Sequence, residues 1–171
     1  MTDNMFPFQT QEDPRARKAT ELYAWCCARD DKSPYQQELK FEEEKGEFFR
    51  EYLIWDANRS GVRAMSHRTT TLSKLHEEMI DCLITLARVK NWLEFFYATP
   101  NMSCTTNAYA RFAQALQSKA FLHALEAACE TMPSNEFHDL LIQKLNKWVG
   151  ILTVAGLDVI QVEGSTYAPQ T

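Results

Sequence analysis

The chain has 171 residues, of which 45% are hydrophobic and 12% aromatic, and its formal net charge is -5. This length favours one domain with a substantial core over two domains of ordinary size, so we expect a single domain over 1–171. The lysines and arginines form no dense basic run, which argues against nucleic acid as a partner.

The N-terminal segment 1–13 is polar and acidic, and it lacks the basic start and apolar stretch of a signal peptide. The longest uncharged apolar stretch, Trp148 to Leu157, is too short to span a bilayer as a helix. We therefore expect a cytoplasmic protein without a membrane partner.

Only five glycines and no recurring alternation of apolar and polar residues predict an all-α protein. A first helix is predicted over 14–30, with proline in its first turn. A second helix is predicted over 34–58, because Ser33 and Gln36 form a capping-box pattern around a proline.

A third helix is predicted to begin within 69–71 and to end near Phe96, since it carries the longest apolar period in the chain. Further helices are predicted over 108–119, 121–132 and 134–155. Loop length favours an antiparallel helical bundle, with a core over 14–100 and additional C-terminal helices and a tail over 101–171.

The second and third helices each carry two carboxylates one turn apart, Glu44 with Glu47 and Glu78 with Asp81. At ~1.5 Å per residue both pairs lie roughly 15 Å from the connecting loop, so antiparallel packing sets them face to face. Carboxylates ~4 Å apart repel by several kcal/mol unless they are solvated, partly protonated or bound to cations. Oxygen ligands at this density suit Mg²⁺, or alternatively Mn²⁺.

The alternative interpretation is a solvated acidic helix face, and it stays open for the first pair. The second pair counts against it. Apolar residues flank Asp81 on both sides within 79–84, so its charge is poorly placed for full exposure and needs a partner.

The two acidic motifs have a recognisable order. The E-x-G-E pattern at 44–47, followed by E-E-x-x-D-x-L-I-x-L-A at 77–87, resembles the MazG-like, all-α nucleotide pyrophosphohydrolases. The resemblance covers roughly 15–96 and implies a four-helix core in which the metal ligands for Mg²⁺ are Glu44, Glu47, Glu78 and Asp81. It also implies cleavage of a nucleoside triphosphate between the α and β phosphates, giving a monophosphate and pyrophosphate, by a homo-oligomer (a dimer or tetramer).

A carboxylate that is not fully engaged by metal is needed to orient or deprotonate the attacking water, and the candidates are Glu43 and Glu47. Lys40 shares a helix face with Glu44 and is a candidate for binding the phosphates. An ordinary ion pair between Lys40 and Glu44 explains the same spacing equally well.

Further substrate-binding candidates come from three parts of the chain. Arg88 lies on the stripe of the second acidic pair, and Arg63 lies in the connecting loop, where a solvated role is the alternative. Trp25 and Tyr35 precede the first motif, where the resemblance implies a slot for the nucleobase. A core position is the alternative for Trp25.

A second function class also fits the sequence. The segment 101–171 lies outside the resemblance, and its extra helices could serve a partner protein. A non-catalytic helical adaptor or regulatory protein that keeps the same bundle is therefore the alternative to an enzyme.

Overall fold

The computed structural model describes residues 14–93, Phe96 and 118–165, with the backbone alone at 134 and 157–165. These residues form five helices and no strand, which confirms the all-α prediction. The helices are α1 (Pro14–Arg29), α2 (Pro34–Ser60), α3 (Leu72–Lys90), α4 (Lys119–Cys129) and α5 (Ser134–Ser165).

The predicted capping box opens α2. The Gln36 backbone N–H donates to the Ser33 hydroxyl at 3.1 Å, and the Ser33 backbone N–H donates to the Gln36 side chain at 2.9 Å. The helix ends where Gly61 adopts a left-handed conformation with φ of 76°, which glycine tolerates without a steric penalty. The chain can then turn back towards α3.

α3 begins as predicted and ends earlier than predicted. The Thr71 hydroxyl caps its N-terminus by accepting the Lys74 backbone N–H at 3.2 Å. The prediction that this helix ends near Phe96 is wrong, because Asn91 terminates it in a left-handed conformation with φ of 53°. Asparagine adopts this conformation more readily than most residues, and its N–H bonds the carbonyls of Ala87 and Arg88.

The C-terminal helices differ from their predicted bounds. The predicted helix over 108–119 lies almost wholly outside the described residues. The next begins at Lys119, after the N-cap Ser118, and ends at Cys129. The last continues to Ser165, well beyond the predicted end at 155, since a glycine at 156 costs only about 1 kcal/mol within a helix.

One hydrophobic cluster receives side chains from all five helices. α2 packs chiefly against α3 and α1 against α5, while α3 also contacts α4 and α5. Fully buried side chains at the centre include Phe48, Met79, Leu83, Phe121 and Leu145. This packing brings Lys144, in the middle of α5, beside Asp81 in the second acidic motif on α3.

The α2–α3 connection is anchored by side-chain hydrogen bonds. The Thr70 hydroxyl donates to the buried Glu51 carboxylate at 2.7 Å, and the Asn58 amide donates to the Arg68 carbonyl at 2.8 Å. Glu51 thus holds the loop against α2. The two helices are thereby fixed as an antiparallel pair.

Candidate metal centre and adjoining cavity

Three carboxylates from α2 and α3 converge at one level of the helix pair. Glu44 and Glu47 lie one turn apart on α2, and Glu78 faces them from α3. One carboxylate oxygen from each lies within 4.8 Å of those from the other two. The antiparallel register predicted from distance to the loop therefore brings these side chains together.

Two of the three carboxylates are buried and incompletely hydrogen-bonded. The residues Glu44 and Glu78 are only 9% and 8% exposed, and the Oε1 atom of each has no hydrogen-bond partner. A buried carboxylate oxygen without a partner carries a substantial desolvation cost. A divalent cation would relieve that cost at both oxygens, so the donor set fits a hard metal ion.

The electrostatics of the group reflect this crowding. Burial raises the pKa of Glu44, an effect that the Lys40 ammonium partly offsets. Loss of hydration and the neighbouring Glu44 and Glu78 carboxylates raise the pKa of Glu47. Each shift favours the protonated form, as expected for like charges brought together without a metal.

Two of the three carboxylates each form an ion pair with a lysine of their own helix. The ammonium of Lys40 lies 3.1 Å from Glu44, and that of Lys74 lies 3.0 Å from Glu78. Both lysines are four residues before their carboxylate on the same helix. One oxygen of each glutamate is therefore paired with a lysine while the other is unpartnered.

Asp81, the fourth predicted ligand, has a partner from a distant part of the chain. Its Oδ2 atom accepts a hydrogen bond from Lys144 of α5 at 3.2 Å. Burial raises the pKa of Asp81, and the Lys144 charge opposes that rise. Asp81 lies one turn after Glu78 on α3, but its carboxylate bonds Lys144 and is not part of the group formed by Glu44, Glu47 and Glu78.

A cavity of about 490 Å³ adjoins the acidic group and is bordered by Glu44 and Asp81. Its basic side chains come from three helices and the α1–α2 connection and are Lys32, Lys40, Arg88, Lys144 and Lys147. Its apolar side chains come mainly from α5 and are Ile84, Trp148, Ile151, Leu152 and Ala155. Asp30 and Asp31 also line the cavity. The cavity thus combines charged side chains of both signs with an apolar wall, as in sites for ligands with a charged and a flat apolar part.

Arg88 is fixed in the cavity wall by Asp30. Its Nε donates to Asp30 Oδ2 at 3.0 Å, and the Lys32 ammonium lies 3.2 Å from the other oxygen. Although burial opposes ionisation, hydrogen bonds from the Lys32 backbone and from Arg88 hold the pKa of Asp30 below its usual range. Arg88 is thereby held in place as a fixed positive charge.

The predicted site residues divide into two groups. Lys40 and Arg88 line the cavity beside Glu44, and Glu43 pairs with Lys40 at 2.9 Å outside the carboxylate group. The other predicted substrate contacts are not among the residues lining this cavity. Of these, Trp25 stacks under the Arg29 guanidinium at 3.9 Å, Tyr35 is 69% exposed, and Arg63 is exposed in the connecting loop.

The sequence offers Lys144 and Lys147 only as weaker phosphate candidates, because an exposed basic helix face explains them equally well. Sequence reasoning missed Trp148 and the contact of Lys144 with Asp81. Lys144 and Trp148 lie four residues apart, and Lys147 precedes Trp148, so all three fall close together on the helix surface. This cluster of basic and aromatic side chains was the available signal. Nothing local to α5 shows that the same surface meets Asp81.

Comparison with known proteins returned no match: no family model, no curated protein and no solved structure corresponds to this chain. Among the described helices, none combines the length and the apolar character that crossing a membrane requires.

Proposed function

We propose that this chain is a metal-dependent nucleoside triphosphate pyrophosphohydrolase, the activity that its resemblance to the MazG-like enzymes implies. One observation carries the proposal. Glu44, Glu47 and Glu78 converge with two buried, unpartnered oxygens beside a cavity lined by basic side chains. A metal–polyphosphate complex would supply a cation to the unpartnered carboxylate oxygens and place its phosphates beside the basic side chains of the cavity.

In the proposed reaction, water attacks one phosphorus of the α–β anhydride and the bridging P–O bond breaks. A monophosphate and pyrophosphate leave, with the water proton passing to a carboxylate. Mg²⁺, or alternatively Mn²⁺, would neutralise the phosphate oxygens and activate the water. Glu44 and Glu78 are the buried residues that would hold it.

Glu47 belongs to the converging carboxylate group and is also exposed to solvent. Its exposure lets its carboxylate reach a water molecule, whereas Glu44 and Glu78 are buried. We therefore assign the role of orienting and deprotonating water to Glu47. Glu43, the other candidate, is half-exposed and engaged by Lys40.

The cavity has the features that a nucleotide needs. Lys40, Arg88 and Lys147 can neutralise phosphate oxygens, and the ring of Trp148 offers a face on which a base can stack. A cavity of about 490 Å³ also falls within the usual size range for small-molecule sites. The phosphates would lie at the Glu44 side and the base at the α5 side.

The test is pyrophosphate release from a panel of ribo- and deoxyribonucleoside triphosphates with Mg²⁺. We expect turnover by the parent protein and a loss of about 10³-fold in Glu44→Ala and Glu78→Ala, because metal stabilisation of the transition state is worth several kcal/mol. Glu38→Ala is the matched control, since this exposed glutamate on α2 does not line the cavity. Its activity should equal that of the parent.

Three results would count against the proposal. Activity that persists with a chelator would exclude the metal, and full activity in Glu78→Ala would exclude the site. Release of orthophosphate in place of pyrophosphate would show cleavage of a different anhydride bond.

A further inference from the structure

Three of the four predicted metal ligands have a lysine partner, and one of these lysines differs from the others. The pairs are Lys40–Glu44, Lys74–Glu78 and Lys144–Asp81. Lys40 and Lys74 have side chains that are 44% and 51% exposed, so each can turn into water. The Lys144 side chain is only 18% exposed and comes from α5, 63 residues away in the chain.

Lys144 occupies the boundary between the acidic group and the cavity. Its partner Asp81 lies one turn from Glu78, and the charge of Asp81 contributes to raising the pKa of Glu44. Lys144 itself lines the cavity beside Arg88 and Lys147. A small rotation of its flexible stem would therefore exchange a carboxylate oxygen for an anion within the cavity.

A divalent cation and the Lys144 ammonium would compete for the same carboxylate. A metal bound by Asp81 at ~2 Å lies close to any ammonium that still bonds that group, and the two positive charges repel. The ammonium must then find another anion or remain unpaired in a half-buried position. A polyphosphate in the cavity provides that anion.

We propose that Lys144 is an exchangeable counter-ion that holds Asp81 when metal is absent and moves to a phosphate oxygen when metal and substrate bind together. This inference depends on the proposed function. Lys144 is a positioning residue for the metal site and a binding residue for the substrate. It makes metal binding weaker without nucleotide and couples the two binding events, because each ligand removes an obstacle to the other.

The test uses Lys144→Met and measures two affinities by calorimetry. Mn²⁺ alone should bind about tenfold more tightly than to the parent, since a charge-assisted hydrogen bond no longer competes for Asp81. A non-hydrolysable triphosphate analogue at saturating Mn²⁺ should bind about tenfold more weakly, because one phosphate contact is lost. A merely structural role for Lys144 would weaken both.

Matched variants keep the test decisive. Lys144→Arg retains the charge and should stay close to the parent in both affinities. Lys147→Met removes a charge from the same cavity that acts on Asp81 through space without a hydrogen bond, so it should weaken the analogue and change Mn²⁺ affinity much less than Lys144→Met does. If Lys144→Met folds poorly, Lys144→Gln keeps a donor for Asp81 but removes the positive charge, so Mn²⁺ should still bind more tightly than to the parent, by less than in Lys144→Met.

The outcomes separate this inference from the proposed function. Mn²⁺ binding by the parent with no gain in either neutral variant would overturn the role of Lys144 and leave the metal centre standing. A parent protein that binds no Mn²⁺, with or without nucleotide, would overturn the metal centre and the counter-ion role with it.

Discussion

The α2–α3 pair and the middle of α5 border the same cavity but differ in the chemistry they bring: the pair carries side chains of both charges, Lys40 and Arg88 among them, and α5 carries no acidic lining residue. The helix pair supplies the carboxylates at 44, 47, 78 and 81, whereas α5 supplies Lys144, Lys147 and an apolar wall around Trp148. The carboxylates of the helix pair require cations, and the α5 side favours an anion with a flat apolar group. Under the proposed function, α2 and α3 would hold the metal and share the phosphate contacts with α5, while α5 alone would provide the aromatic surface for the base.

The division has an energetic consequence. The carboxylates on α2 and α3 repel one another, and the lysines relieve only part of that repulsion. α5 contributes to stability here through Lys144, which neutralises Asp81. The two regions can therefore be tested separately, by replacing a carboxylate of the α2–α3 pair or by replacing the aromatic ring on α5.

The largest expected effect tests the helix pair through metal binding. At a Mg²⁺ concentration about 100 times its dissociation constant, the free energy of unfolding should rise by about 2.7 kcal/mol. For a chain of this size the melting temperature should increase by about 5–10 °C, measured by calorimetry or circular dichroism. Glu78→Gln should show little increase, because it removes one buried ligand charge at nearly constant volume.

Two observations would contradict that expectation. An equal shift in Glu78→Gln and in the parent would place Mg²⁺ elsewhere on the protein. An equal shift with Na⁺ at matched ionic strength would show simple screening of the carboxylates in place of coordination.

A smaller effect is expected at the α5 wall. Trp148→Leu keeps an apolar side chain but removes the aromatic face, so KM for a nucleoside triphosphate should rise by about tenfold, since base stacking is worth about 1–3 kcal/mol. The inhibition constant of inorganic tripolyphosphate, which has no base, should stay the same in steady-state assays. Trp148→Tyr should restore most of the affinity.

If Trp148→Leu weakened binding of the nucleoside triphosphate and of tripolyphosphate equally, base stacking on Trp148 would be excluded. Trp148 would then support the cavity through its packing against Tyr23, whose ring centroid lies 6.5 Å away.

Much of the fold could be predicted from local signals. The capping box at Ser33 and the cap at Thr71 start α2 and α3 where the sequence predicts, because capping is decided by a few neighbouring residues. The end of α3 could not be predicted in this way. The apolar period continues past Asn91, and only the adopted left-handed conformation of that residue stops the helix.

The candidate site shows the same limit. Glu44, Glu47 and Glu78 were predictable, because their spacing and their distance from the loop depend only on helix geometry. The Asp81–Lys144 pair was not, since it depends on how α5 packs against α3 across 63 residues of chain. For the same reason the predicted base contacts Trp25 and Tyr35 fell outside the cavity while Trp148 lines it.

The smallest expected effect is at an exposed position on α2, away from the apolar wall that α5 provides. Gly46 lies between two ligand candidates in the middle of a helix, and a Cβ built on it meets no atom within 4 Å. Gly46→Ala should therefore stabilise the isolated chain by about 1 kcal/mol and raise its melting temperature by about 2–4 °C. Because the predicted homo-oligomer could cover this face, sedimentation should be measured alongside. A variant that is less stable and dissociates would show that a second copy packs closely over Gly46, since an added methyl is costly only where another surface already fills the space.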